Sequence, residues 1–191
     1  MAIDKILEEK LKNSTPTFQA IEKFEDADDE MLFIAEHIKK TTTHNEYIEP
    51  ERIKYLYTGK PKKDGSCYTL FDLSKRSDID KMINADYDFI LTVFYDVWKV
   101  LTPEQKVMTL DKALCGIDMG NMEKQKIGKK APDSKEFIDN MRFYGPDKVM
   151  ETSEIIDLAC INFISDKADE KRAAKEGAKK GKKKVFTSGI D

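Results

Sequence analysis

Two histidines and three cysteines are the chain's whole supply of imidazole and thiol groups. His37 and His44 fall at a helix end and in a connector, and read as surface histidines. Cys67, Cys115 and Cys160 are widely separated and odd in number, so they outline neither a zinc knuckle nor a disulfide framework. Cys67, Cys115, Asp118 and Asp133 offer ligand atoms, but no pair among them has diagnostic spacing, and a metal is not expected. The carboxylates of Asp26–Glu30 read as solvated surface or a helix interruption rather than a calcium site. Lys112 lies among apolar neighbours, where a lysine can act as a nucleophile or phosphate contact once its pKa falls. With no partner acid in reach of the pattern, it reads as a cleft-lining or solvent-facing side chain.

Charge placement is the strongest remaining chemical feature. Lys124, Lys126, Lys129 and Lys130 cluster in one segment. Residues 167–184 hold nine basic groups against three acidic ones, among them Lys179, Lys180, Lys182, Lys183 and Lys184. Such groups neutralise phosphates without reading bases, in a strongly salt-dependent way. The first thirty residues have the opposite balance, nine acidic groups against four lysines. The net charge of -3 hides this polarity.

The elements that must position these groups fit a chain of 191 residues, long enough to bury a substantial core. No apolar run approaches the roughly 20 residues that span a bilayer. The opening MAIDKILEEKLK lacks the order of a secretory signal, and a reduced intracellular compartment is expected. Apolar spacing predicts a short helix over 3–12 and a second from Ser14 or Thr15 to Lys40. TTTHNEYIEP is a connector. Strands are expected at Arg52–Tyr57, Tyr68–Leu73 and, most apolar, Asp86–Tyr95. Thr102-Pro103-Glu104 opens a helix whose buried face is Val107, Leu110, Leu114 and Ile117. Further helices are predicted over Ser134–Phe143 and Ser153–Lys175, followed by a mobile basic tail. Tyr47, Tyr55, Tyr57, Tyr68 and Phe71 are candidate interface aromatics at edges and loops.

Four segments together resemble the phage metallopeptidase family of SprT-like zincins. They are Arg52–Leu56, Asp86–Trp98, LDKALCGI at 110–117, and PDSKEFIDNMRFYG at 132–145. The resemblance spans about Pro50–Gly145. It implies an α+β fold, a small zincin/SprT-like core of a few-stranded sheet packed on helices. N-terminal helices and a basic C-terminal helix or tail would flank that core. Residues 1–45 would be the helical segment, 46–165 the metallopeptidase-like domain and 166–191 the basic tail. Relatives of this type act in general on proteins attached to DNA.

Transferred residue by residue, the resemblance puts Lys112 at the first zinc-histidine place and Ala113 at the catalytic glutamate. Gly116 takes the second histidine place, and Pro132 the place of the downstream ligand. All of these former metal and catalytic positions lack the required group. The expectation is therefore a degenerate member, not an enzyme, with no metal and no cofactor. It would serve as a protein-binding module on a host or virion protein, in the host cytoplasm or associated with the virion. Two alternatives stand beside it. One is an accessory protein that binds nucleic-acid phosphates non-specifically through the basic loop and tail. The other is an active metal-dependent peptidase with an atypical site. No membrane partner is expected.

Overall fold

Sheet pairing overrides the helix expected across residues 14–40. A computed structural model describes residues 21–64, 67–83, 87–118, 127–131 and 137–185, with Glu9, Leu11 and Phe18 before them. Most of the helix predicted over 3–12 lies outside these residues. Phe24–Asp26 forms strand β1, and helix α1 begins only at Asp28 and runs to Thr41. β1 pairs antiparallel with strand β2 (Ile53–Thr58), Phe24 opposite Thr58. The Ala27 N–H then donates to the Tyr55 carbonyl at 3.2 Å. Unpaired β2 backbone groups take up a segment whose own periodicity is equivocal. α1 carries acids in its first turn and Lys39 and Lys40 in its last, matching the helix dipole.

After β2 come the hairpin β3 (Lys62–Asp64) and β4 (Cys67–Thr69), then β5 (Phe71–Lys75) and helix α2 (Asp78–Ile83). Strand β6 (Phe89–Phe94) leads into the single turn α3 (Tyr95–Trp98) and helix α4 (Pro103–Cys115). The short strands β7 (Ile117–Asp118) and β8 (Gly128–Lys129) pair with each other, and helices α5 (Ile138–Tyr144) and α6 (Pro146–Val185) follow. The predicted strand Tyr68–Leu73 is thus split between two sheets.

The main sheet has the order β1-β2-β6-β5, with β2 parallel to β6 and β5 antiparallel to it. Ile53, Tyr55 and Tyr57 on β2 alternate inward with buried Phe89, Leu91 and Val93 on β6. That period of two puts one apolar face against helices α1 and α4. Tyr55 and Tyr57 are therefore core residues, contrary to the interface expectation, while Tyr47 is exposed. The fold is a mixed α+β one, a few-stranded sheet packed against helices. None of the described helices is long and apolar enough to cross a membrane.

Helix α4 starts as its sequence indicates. Thr102 accepts from the Gln105 N–H, and the Gln105 side chain accepts in return from the Thr102 N–H at 2.9 Å, a full capping box. α5 ends at Gly145, whose φ of 92° requires a residue without Cβ. α6 then begins seven residues earlier than predicted and continues to Val185, so the expected mobile tail is helical as far as that residue.

Glu30 corrects the view of Asp26–Glu30 as a solvated cluster. It is 1% exposed and forms a 2.8 Å ion pair with Lys106, which is 4% exposed. Trp98 Nε1 donates to the same carboxylate at 3.0 Å, and the Tyr57 hydroxyl donates as well. Lys106 also lies 5.2 Å from the centre of the Trp98 ring. This network ties α1, β2, α3 and α4 together. Burial and the Glu30 charge push the Tyr57 hydroxyl far above the ordinary phenol value.

Candidate metal centre

Asp111 and Cys115 stand four residues apart on α4, one turn of helix, so both side chains project from the same face. The turn after α1 brings His44 against that face. His44 Nε2 lies 2.9 Å from Asp111 Oδ2. The ligand atoms of His44, Asp111 and Cys115 all fall within 4.8 Å of one another. His44 is half-buried, while Asp111 and Cys115 are buried.

Asp111 is the hub of the cluster. The Asn45 amide donates to its Oδ1 at 2.7 Å and to its backbone carbonyl at 3.2 Å. The same amide reaches Cys115 Sγ at 3.5 Å. Asn140, on α5, donates to Asp111 Oδ2 at 3.1 Å, and the Tyr144 hydroxyl also bonds the carboxylate. Asn45 and Asn140 are fully buried, and the Oδ1 atom of each has no hydrogen-bond partner among the described residues. Phe143 meets the His44 ring edge-on at 5.5 Å.

Electrostatics follow from this packing. Burial, then the Asp111 charge, pushes the Cys115 thiol up to about 12, against the opposing Asn45 hydrogen bond. Burial and then Asp111 likewise raise the Tyr144 hydroxyl. The Tyr47 hydroxyl is raised by burial first, then by Cys115, Asp118, Asp139 and Asp111. Asp139 therefore acts on both Cys115 and Tyr47, and Lys130 opposes the rise at Cys115.

The donor set suits a borderline cation. Imidazole nitrogen, carboxylate oxygen and thiolate sulfur are the three ligand types zinc accepts. A dication would reverse the local order by favouring the Cys115 thiolate and replacing the proton shared by His44 and Asp111. The residues present fit the metal.

This arrangement corrects three expectations at once. The site is not empty of ligands, the chain is not shown to be a pseudoenzyme, and a purely non-catalytic role loses its premise. Positions 112, 113 and 116 carry no ligand, but the neighbouring face of the same helix does. Asp111 and Cys115 repeat the four-residue spacing one position earlier, about 100° around the helix. That spacing was legible, but His44, 67 residues from Asp111, was not recognisable as its partner.

The other singled-out residues fall elsewhere. Lys112 is half-buried and turns to α6, its Nζ 3.4 Å from Ser153 Oγ. Ala113 is half-buried, and Gly116 is buried against Leu73 and Phe137. Pro132, Lys124 and Lys126 lie outside the described residues. Lys129 and Lys130 are exposed beside the β7–β8 pair, and Lys129 donates to the Leu73 carbonyl at 3.2 Å. Lys179, Lys180, Lys182, Lys183 and Lys184 belong to the helical stretch of α6.

Comparison with protein families gives one match, over residues 22–159, to the family described as "Putative phage metallopeptidase". The match extends beyond the span read from the four segments, and it takes in His44, Asp111 and Cys115. No curated protein and no solved structure matches the chain.

Proposed function

This chain belongs to the phage metallopeptidase family, and on that premise we propose that it is a metal-dependent peptidase with an atypical centre. His44, Asp111 and Cys115 are its ligands. The convergence of one nitrogen, one oxygen and one sulfur donor within 4.8 Å carries the reading. Three protein ligands leave one position of a tetrahedral zinc ion open, the arrangement of catalytic rather than closed structural sites. When bound, the ion would polarise a peptide carbonyl and lower the pKa of water.

The chain's own residues divide the remaining work. Asn45, Asn140 and Tyr144 hold the Asp111 carboxylate in one orientation through their donated hydrogen bonds. Ala113 has no proton acceptor, so a proton from the attacking water goes to another group. Asp139, whose charge acts on both Cys115 and Tyr47, is the candidate. The architecture of this reading is the small zincin-like core, with α4 as the ligand-bearing helix. Residues 46–165 form the peptidase-like unit, His44 comes from the segment 1–45, and 166–191 is the basic end. The substrate is a host or phage protein in the host cytoplasm. Lys129, Lys130 and the lysines at 179–184 would hold the enzyme near nucleic-acid phosphates that carry such a substrate.

Metal analysis of the purified chain tests the centre directly. One zinc per chain is expected, lost in His44→Ala and Cys115→Ser, with chelator-sensitive cleavage of an unfolded protein substrate. Zinc content unchanged by Cys115→Ser would sink the assignment.

A further inference from the structure

Helix α6 shows two faces. Val149, Thr152, Ile156 and Cys160 turn into the protein and are buried. On the opposite side, Glu154, Leu158, Ile161, Ser165, Ala168 and Arg172 are all exposed, Leu158 at 60% and Ile161 at 55%. Their spacing alternates four and three residues, the interval that keeps a straight seam along a helix paired with another helix. The seam is apolar or small in its middle, acidic at one end and basic at the other.

We propose that this seam is a dimer interface, pairing antiparallel with the same seam in a second copy of the chain. A two-fold axis at the level of Phe163 puts residues equally far on either side opposite each other. Glu154 then meets Arg172, Leu158 meets Ala168, and Ile161 meets Ser165. Every pair is complementary, the first in charge and the other two in volume, a large side chain over a small one. A parallel pair would instead stack Glu154 on Glu154 and Arg172 on Arg172, which like-charge repulsion opposes. Beside the seam, Glu151 and Asp157 are exposed on the first half of the helix, while the second half exposes Asp166, Asp169 and Glu170 together with Lys167 and Lys171. Arg172 lies 3.7 Å from Asp169 of its own helix, an exposed pair that it exchanges for or shares with Glu154 of the second copy. The contact is isologous, so it closes at two copies. Over about 19 residues it extends roughly 28 Å.

Sedimentation of the full chain over a concentration series tests this. A monomer–dimer equilibrium is expected. Leu158→Glu with Ile161→Glu should leave a folded monomer, since both side chains are already mostly exposed. Glu154→Arg and Arg172→Glu should each weaken the dimer about tenfold, and the two together in one chain should restore it. Mixed Ile161→Cys and Ser165→Cys chains should form a disulfide-linked pair, which neither makes alone. The proposal is overturned if the chain stays monomeric throughout. It also fails if the dimer ignores the Leu158 and Ile161 changes, or if Ile161→Cys links to itself. A complex that forms only with added double-stranded DNA would give the seam to nucleic acid instead.

Discussion

His44 and Asp111 meet at 2.9 Å although 67 residues separate them in the chain. A carboxylate can only accept, so the imidazole Nε2 carries the shared proton in the metal-free protein. A cation would take that proton's place. Cobalt(II) titration should therefore give a thiolate charge-transfer band that Cys115→Ser abolishes. Asn45→Ala, which keeps all three ligands, should lower affinity about 10–100-fold. A band that survives Cys115→Ser would place the metal elsewhere.

Asp111 also supports the fold without metal. Replacing it by Ala removes the carboxylate to which both buried amides donate, leaving Asn45 the residue 111 carbonyl at 3.2 Å and Asn140 the Met108 carbonyl at 3.4 Å. The expected loss is roughly 2–4 kcal/mol in chelator, read from denaturant unfolding. A change within 0.5 kcal/mol would mean that solvent replaces the carboxylate at little cost.

The Glu30–Lys106 pair tests the opposite end of α4. Lys106→Met leaves a buried carboxylate with its countercharge gone and should destabilise by about 3–5 kcal/mol. Adding Glu30→Leu removes the unpaired charge and should recover part of that, the remainder persisting because Trp98 Nε1 and the Tyr57 hydroxyl lose the carboxylate they donate to. Additive losses in the double variant would contradict the coupling.

Acid should loosen α2 locally. The Ser77 hydroxyl and N–H hold the Asp80 carboxyl below its ordinary value of 3.8. A depressed folded value means that the stabilisation is present above the unfolded pKa and is lost as pH falls through the folded one. NMR titration of Asp80 should show the low midpoint, and Ser77→Ala should return it towards 3.8. An unchanged midpoint in that variant would remove Ser77 as the cause.

Gly116 should resist replacement by a histidine. An added Cβ already stands 3.1 Å from the Ala113 carbonyl and 3.4 Å from Leu73 Cδ2. Gly116→His should cost about 1–3 kcal/mol by overpacking and add no metal. Tighter zinc binding in that variant would show that the cavity opens more readily than the packing indicates.

Local signals in the chain were enough for α4 and β6. Thr102-Pro103 followed by Gln105 specifies a cap through its own hydrogen bonds, and the aromatic, β-branched run at 89–94 needs a sheet. The absence of histidine and glutamate at 112, 113 and 116 was equally legible. The sheet edge at Phe24–Asp26, the burial of Glu30 and the arrival of His44 beside Asp111 were not. Each depends on a partner far along the chain, Thr58, Lys106 and Asp111 itself. Sequence by itself therefore determined the helix that carries Asp111 and Cys115 one turn apart. Only tertiary structure decided that a third ligand meets them, because periodicity describes one element's faces and says nothing of which distant turn packs there.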